Sequence, residues 1–276
     1  MPRLICGRFA LDLSAPRIMA IINLTDDSFS GDGLRGNTQA ALRQAETALE
    51  AGADLLDIGA ESTRPGCAPV PEAQEIERIV AAIEALSSLG APLSIDTMKP
   101  GVMRAALLAG ADMINDINGF SAPGAVDAVA GSPCGLCVMH MQGEPRTMQH
   151  SPDYADIVAE ISAYLSGQVK TLTAAGVARE RIVLDPGFGF GKNVGHNYSI
   201  LKHLARFAVD GLPVLAGLSR KSMLGAITGK AAGERLIASV TGATLAVEHG
   251  ARIVRVHDVA ATREALQIWR ACADAA

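Results

Sequence analysis

Short apolar runs recur along the chain at 18–22, 55–58, 93–95, 113–114, 136–139, 182–184, 214–216 and 253–256. Each is β-branched or leucine-rich and ends abruptly in polar or glycine-rich sequence. A continuous apolar run this short, without alternation, marks a strand covered on both faces. Between the runs the apolar period lengthens, predicting helices over 38–51, 71–89, 152–175, 236–248 and 259–272. Asn37 or Thr38 stands where the first needs an N-cap, and Pro71 opens the second. Gly52, Gly90 and Gly176 stop the first three. Gly-Ala recurs at 52–53, 110–111 and 250–251, each glycine closing a helix and feeding the next strand.

Eight strand–helix units without a linker predict an α/β fold, a (β/α)8 TIM barrel forming one domain over residues 1–276. Residues 1–13 alternate and read as a short N-terminal β-hairpin closing the barrel's bottom. A doubly wound open sheet would place G-x-G-x-x-G after its first strand. Here Ile22 is followed by Asn-Leu-Thr-Asp-Asp-Ser, and Gly187-Phe188-Gly189 lacks the third glycine at the required spacing.

Composition narrows this picture without changing it. The 276 residues are 49% hydrophobic, 19% charged and only 4% aromatic, which excludes a disordered chain and argues against a β-sandwich. A net charge of −5 with no basic run gives nucleic-acid binding no electrostatic support. No uncharged apolar stretch is long enough to span a membrane. Arg8, Asp12 and Arg17 interrupt any secretory pattern, so a cytoplasmic location is expected. Of the five cysteines, Cys134 and Cys137 form a C-x-x-C, but inside what reads as a buried strand and without metal-ligand partners.

In a barrel, functional groups stand at the C-terminal ends of strands. The polar residues there are Asn23, Asp57, Asp96, Asn115 with Asp116, His140, Asp185, Ser219 with Arg220 and Lys221, and Arg255 with His257. Asp96, Asn115, Asp185 and Lys221 offer two carboxylates, an amide and an ammonium, which match the edges of a flat amino-keto heterocycle. Arg64, Arg220, Arg255 and His257 suit an anion such as a phosphate. Asn23 offers a neutral oxygen of the kind that completes a Mg2+ shell already filled by diphosphate oxygens and water. Taken singly, Asp96, Asn115 and Asp116 also read as helix caps, Lys221 as a surface lysine and His140 as a packed histidine.

The segments that carry these residues resemble dihydropteroate synthase. They are Asn23 to Ser30, Asp57 to Gly66, Ser94 to Thr97, Asn115 to Ile117, Met139 to Gly143, Asp185 to Lys192, Ser219 to Ser222 and Arg255 to His257, in family order over nearly the whole chain. The resemblance implies condensation of 6-hydroxymethyl-7,8-dihydropterin diphosphate with 4-aminobenzoate, with Mg2+, in a homodimer. It implies a pterin set of Asp96, Asn115, Ile117, Met139, Asp185, Phe190 and Lys221, and a diphosphate set of Asn23, Arg64, Arg255 and His257, with Asn23 on the metal. The implied aminobenzoate set is Thr63, Pro65, Phe190, Arg220 and Ser222, where sulfonamides compete, and the implied catalytic residues are Asp96, Lys221, Arg64 and Thr63. A pterin-dependent methyltransferase would share the acids but has no need of Ser219-Arg220-Lys221 with Arg255-x-His257. A non-catalytic pterin- or phosphate-binding paralogue and a lysine-dependent aldolase barrel are the other readings.

Asp26 stands where the family's first loop usually has proline. Proline would hold φ near −65° and lower the entropy cost of ordering that loop. Asp26→Pro is expected to change the aminobenzoate KM or the sulfonamide inhibition constant; steady-state titration with both values unchanged would remove the loop from the account.

Overall fold

The computed structural model describes residues 3–24, 33–61, 70–145 and 147–275, with side chains left out at 33–37. Its centre is a closed barrel of eight parallel strands. They are β3 (Arg17–Asn23), β4 (Leu55–Gly59), β5 (Leu93–Asp96), β6 (Met113–Asp116), β7 (Gly135–Met139), β8 (Ile182–Asp185), β9 (Val214–Ala216) and β10 (Ala251–Val256). β10 pairs with β3, so the sheet has no open edge. Ahead of it β1 (Arg3–Cys6) and β2 (Phe9–Asp12) form an antiparallel hairpin.

The helices around the barrel are α1 (Gly33–Glu50), α2 (Glu72–Leu86), α3 (Pro100–Ala109), α4 (Ala125–Ala130), α5 (Ile157–Ala174), α6 (Val194–Lys202), α7 (Ser222–Thr228), α8 (Leu236–Glu248) and α9 (Val259–Ala273). The apolar period finds the long ones and misses α3, α4, α6 and α7, of six to ten residues. Two predicted starts move. Helix α1 begins upstream of Asn37, and α5 begins after Asp156, whose carboxylate caps the Val158 and Ala159 N–H groups, rather than at Pro152. The Gly-Ala signal holds: Gly52 and Gly110 take φ +94° and +105°, and the following alanine N–H reaches back to Ala48 and Ala106 as in a Schellman cap.

Strand alternation divides the apolar residues into two cores. Ile18, Ala20, Ile22, Leu56, Ile58, Leu93, Ile95, Ile114, Leu136, Val138, Ile182, Leu184, Val254 and Val256 face outward and pack under the helices. Their neighbours Met19, Leu55, Met113, Cys137, Val183, Leu215 and Ile253 face inward and fill the lower barrel. Leu4, Cys6 and Leu13 join that inner cluster, so the hairpin plugs the bottom as its alternation predicted. Cys134 packs in the outer core and Cys137 in the inner one, and both are free thiols.

The same period governs the next residues along each strand. One pleat above Leu55 is Asp57, above Met113 is Asn115, above Cys137 is Met139, above Val183 is Asp185 and above Ile253 is Arg255. Register aligns Asp96 with Asn115 and Met139 with Asp185. The barrel is therefore apolar below and polar at its mouth.

Candidate active site

At the centre of the mouth lies Asp57, fully buried on β4. Its Oδ1 accepts from the Ser94 hydroxyl at 2.6 Å. Its Oδ2 accepts from Asn115 Nδ2 at 3.1 Å and from Arg255 Nε at 2.5 Å. Arg255 also reaches Asp96 Oδ2 through Nη2 at 2.8 Å. The two acids hold the guanidinium above its ordinary range despite burial. Burial raises the Asp96 carboxyl to about 7, against the pull of Arg255 and with added repulsion from Asp57. Because an ionised carboxylate only accepts, Asn115 must turn its amide nitrogen to Asp57, leaving Oδ1 as the acceptor.

Across the mouth, Asp185 at the end of β8 accepts from the Gly187 N–H at 2.7 Å. Burial raises its pKa, while Lys221 and that N–H pull it down. Lys221 stands just before α7 and donates to the Phe188 carbonyl. Its Nζ lies 4.6 Å from the Phe190 ring centroid. Burial lowers it to about 8, opposed by Asp185. Met139, in register with Asp185, and Ile117, just past β6, are buried, and Phe190 is half-buried.

His257 follows β10, and its Nδ1 sits 2.9 Å from the Ser219 hydroxyl, which also accepts the His257 backbone N–H at 3.2 Å. The hydroxyl thus fixes the orientation of the ring through two contacts. Asn23 ends β3, half-buried. Arg220, at φ +59°, turns its guanidinium onto Asp258 with contacts of 3.1 and 2.5 Å. Ser222 opens α7 exposed. Thr63, Arg64, Pro65 and Asp26 lie outside the described residues.

Of the strand-end residues, Asp116 has opposite parity to Asn115 and caps the backbone N–H groups of Asn118 and Phe120 at 2.8 and 2.7 Å. His140 packs edge-on against Tyr164 and contacts Lys192, and burial lowers its pKa to about 3. Sequence reasoning gave Asp57 no role, although a charge inside a buried run with the parity of Leu55 was the available signal. It also missed Lys99, whose Nζ contacts Glu61 at 2.5 Å, the Val70 carbonyl at 2.6 Å and buried Glu75 at 2.6 Å. Glu61 and Val70 flank residues 62–69. Among the described residues no group of three or more His, Cys, Asp or Glu side chains is placed to hold a metal ion.

A barrel mouth with two desolvated carboxylates, an amide and a lysine above a closed apolar floor suits a flat amino-keto heterocycle, and residues 19–257 match the family described as pterin binding enzyme, which makes the chain one of that class. The dihydropteroate synthase of Haemophilus influenzae is 46% identical over 274 residues, 99% of this chain and 100% of that protein. The structure of Burkholderia cenocepacia dihydropteroate synthase complexed with 7,8-dihydropteroate is 54% identical, with a TM-score of 0.91 over 98% of this chain and 96% of that one. That of Xanthomonas albilineans dihydropteroate synthase with 4-aminobenzoic acid is 45% identical, with a TM-score of 0.93 over 100% and 99%. The chain belongs to the dihydropteroate synthase family of transferases.

Removing one member of a buried ion pair strands the other's charge, which costs about 3–5 kcal/mol. Asp57→Ala is therefore expected to lose stability of that order in urea unfolding; a loss under about 1 kcal/mol would show that Arg255 is held adequately by Asp96 alone.

Proposed function

We propose that this chain joins 4-aminobenzoate to 6-hydroxymethyl-7,8-dihydropterin diphosphate as one barrel domain over residues 1–276. The amine nitrogen bonds to the pterin methylene carbon, the C–O bond to diphosphate breaks, the amine loses a proton to solvent, and 7,8-dihydropteroate leaves. The observation that carries this reading is the pair of desolvated carboxylates, Asp96 and Asp185, facing a shared mouth with cations at its rim.

In this reading Asp96, Asn115, Asp185 and Lys221 bind the polar edges of the pterin, with Ile117, Met139 and Phe190 as its apolar walls. Thr63, Pro65, Phe190, Arg220 and Ser222 receive aminobenzoate. Asn23, Arg64, Arg255 and His257 receive the diphosphate. With Nε on Asp57 and Nη2 on Asp96, Arg255 keeps, among the described residues, the two Nη1 protons for an anion. An aromatic amine is neutral and nucleophilic near pH 7, so the slow event is departure of diphosphate. Asp96 and Asp185 stabilise positive charge developing on the pterin, and Arg64, Thr63 and Lys221 complete the catalytic set.

Mg2+ fits a mouth where Asn23 offers a neutral oxygen, because such an ion keeps water and phosphate oxygens as most of its ligands. When bound, it neutralises charge on the departing diphosphate. A homodimer is supported by exposed Ile227, Leu236, Ile237 and Leu245 on α7 and α8 and Ile268 on α9. No described helix is long and apolar enough to cross a membrane, and the described cysteines are free thiols. We place the enzyme in the cytoplasm.

Supplied with the pterin diphosphate, 4-aminobenzoate and Mg2+, the protein is expected to release dihydropteroate and diphosphate in equal amounts. Ligand binding without product would return it to the non-catalytic reading. Asp96 acts as carboxylate, and its ionised fraction falls as pH drops through about 7. The kcat/KM for the pterin diphosphate should therefore fall about tenfold per unit below that pH, and decline again on the alkaline side as Lys221 loses its proton above about 8. Asp96→Asn should remove the acid limb and lose far more kcat than pterin affinity; equal losses in both would sink the charge-stabilising role.

A further inference from the structure

Lys192 is a buried lysine, 3% exposed, that none of the roles above uses. Its Nζ lies 3.0 Å from His140 Nδ1, 3.2 Å from the His140 carbonyl oxygen and 2.8 Å from the Phe190 carbonyl oxygen. Burial lowers the Lys192 ammonium to about 7, opposed by Asp185, and the two carbonyl oxygens accept from its N–H groups beside a neutral His140. The contact ties the residue after β7 to the loop after β8.

That loop has little freedom elsewhere. Gly187, Gly189 and Gly191 all take positive φ. A Cβ on Gly187 would overlap the His140 carbonyl oxygen, and one on Gly191 that of Gln142. Asn197 Oδ1 accepts the Gly189 N–H at 2.7 Å. Lys221 holds the Phe188 carbonyl, so two lysines grip alternate carbonyls, and the Phe190 ring between them lies against Lys221.

We propose that Lys192 is a positioning residue: by holding the Phe190 carbonyl against the end of β7, it sets the Phe190 ring where pterin and aminobenzoate meet. This rests on the reaction proposed above. Small misplacements of a positioning group cost rates disproportionately. Lys192 acts through one side chain, so its effect disappears when that side chain is gone.

The test is a double-mutant cycle over wild type, Lys192→Met, Phe190→Ala and the double variant. In the wild-type background Lys192→Met is expected to lower kcat/KM for aminobenzoate by about tenfold, and in the Phe190→Ala background by less than about twofold. Equal losses in both backgrounds would overturn the proposal, because an effect carried by the charge of Lys192 on Asp185, or by general loosening, persists without the ring. No loss in the wild-type background would also overturn it. Calorimetric binding of 7,8-dihydropteroate to the same four proteins should show the same pattern without turnover. A wild-type protein that binds but forms no product thus overturns the reaction, and an additive cycle overturns the role of Lys192. Should Lys192→Met not fold, Lys192→Gln, which keeps an amide donor, takes its place with an intermediate loss expected in the wild-type background only.

Discussion

The Asp57 carboxylate has no access to water, and the barrel mouth is arranged around neutralising it. An isolated buried charge is prohibitively unfavourable, so its partners are not optional. Ser94, Asn115 and Arg255 supply them from three other strands. Each is thereby committed in orientation: Asn115 presents its oxygen rather than its nitrogen, and Arg255 is swung to where it also meets Asp96. One hidden ion pair between residues 198 apart in sequence thus sets three groups that face a ligand. It stands on rigid strand ends, where a side chain is better placed than on a loop.

The closed barrel makes such a centre tolerable. Below Asp57 the inner layer is wholly apolar and sealed by the hairpin, so water does not reach the charge from beneath. Above it the pleat returns polar residues to the interior every second position. The sheet closes β10 onto β3, which brings Arg255 beside the first barrel strand and across from Asp57. An open sheet with the same strands would put Arg255 on one edge and Asp57 one strand in from the other.

This explains what the sequence could convey. Strand positions and the polar residues at their ends were legible because both obey local periods of two and 3.6. Asn23, Asp96, Asn115, Asp185, Arg255 and His257 were found that way and stand at the strand ends, with Lys221 in the loop between β9 and α7. Pairing was not legible, since nothing near Arg255 signals that its partners are acids on β4 and β5. Arg255 was grouped with anion-binding residues, whereas the fold first spends its charge on Asp57 and Asp96. Arg220 likewise turns to Asp258. The short helices escaped because six to ten residues carry too few turns for an apolar stripe, and Asp156 was passed over in favour of Pro152 as a start.

Hydrogen-bond accounting separates the carboxylates that build the site from those that serve it. An ionised carboxylate has about four acceptor positions. Asp57 fills three with a hydroxyl, an amide and a guanidinium. Among the described residues Asp96 accepts one side-chain bond, from Arg255, and Asp185 one backbone bond, from Gly187. Both are desolvated and raised in pKa, so each has been removed from water without equivalent replacement. A planar ligand that brings its own N–H donors restores what burial removed. Positive charge developing on that ligand strengthens the same contacts further in the transition state. Asp57, already satisfied, gains nothing from such a ligand. The difference between a structural acid and a functional one in this barrel is therefore one of unmet valence rather than of position, since all three face the same interior.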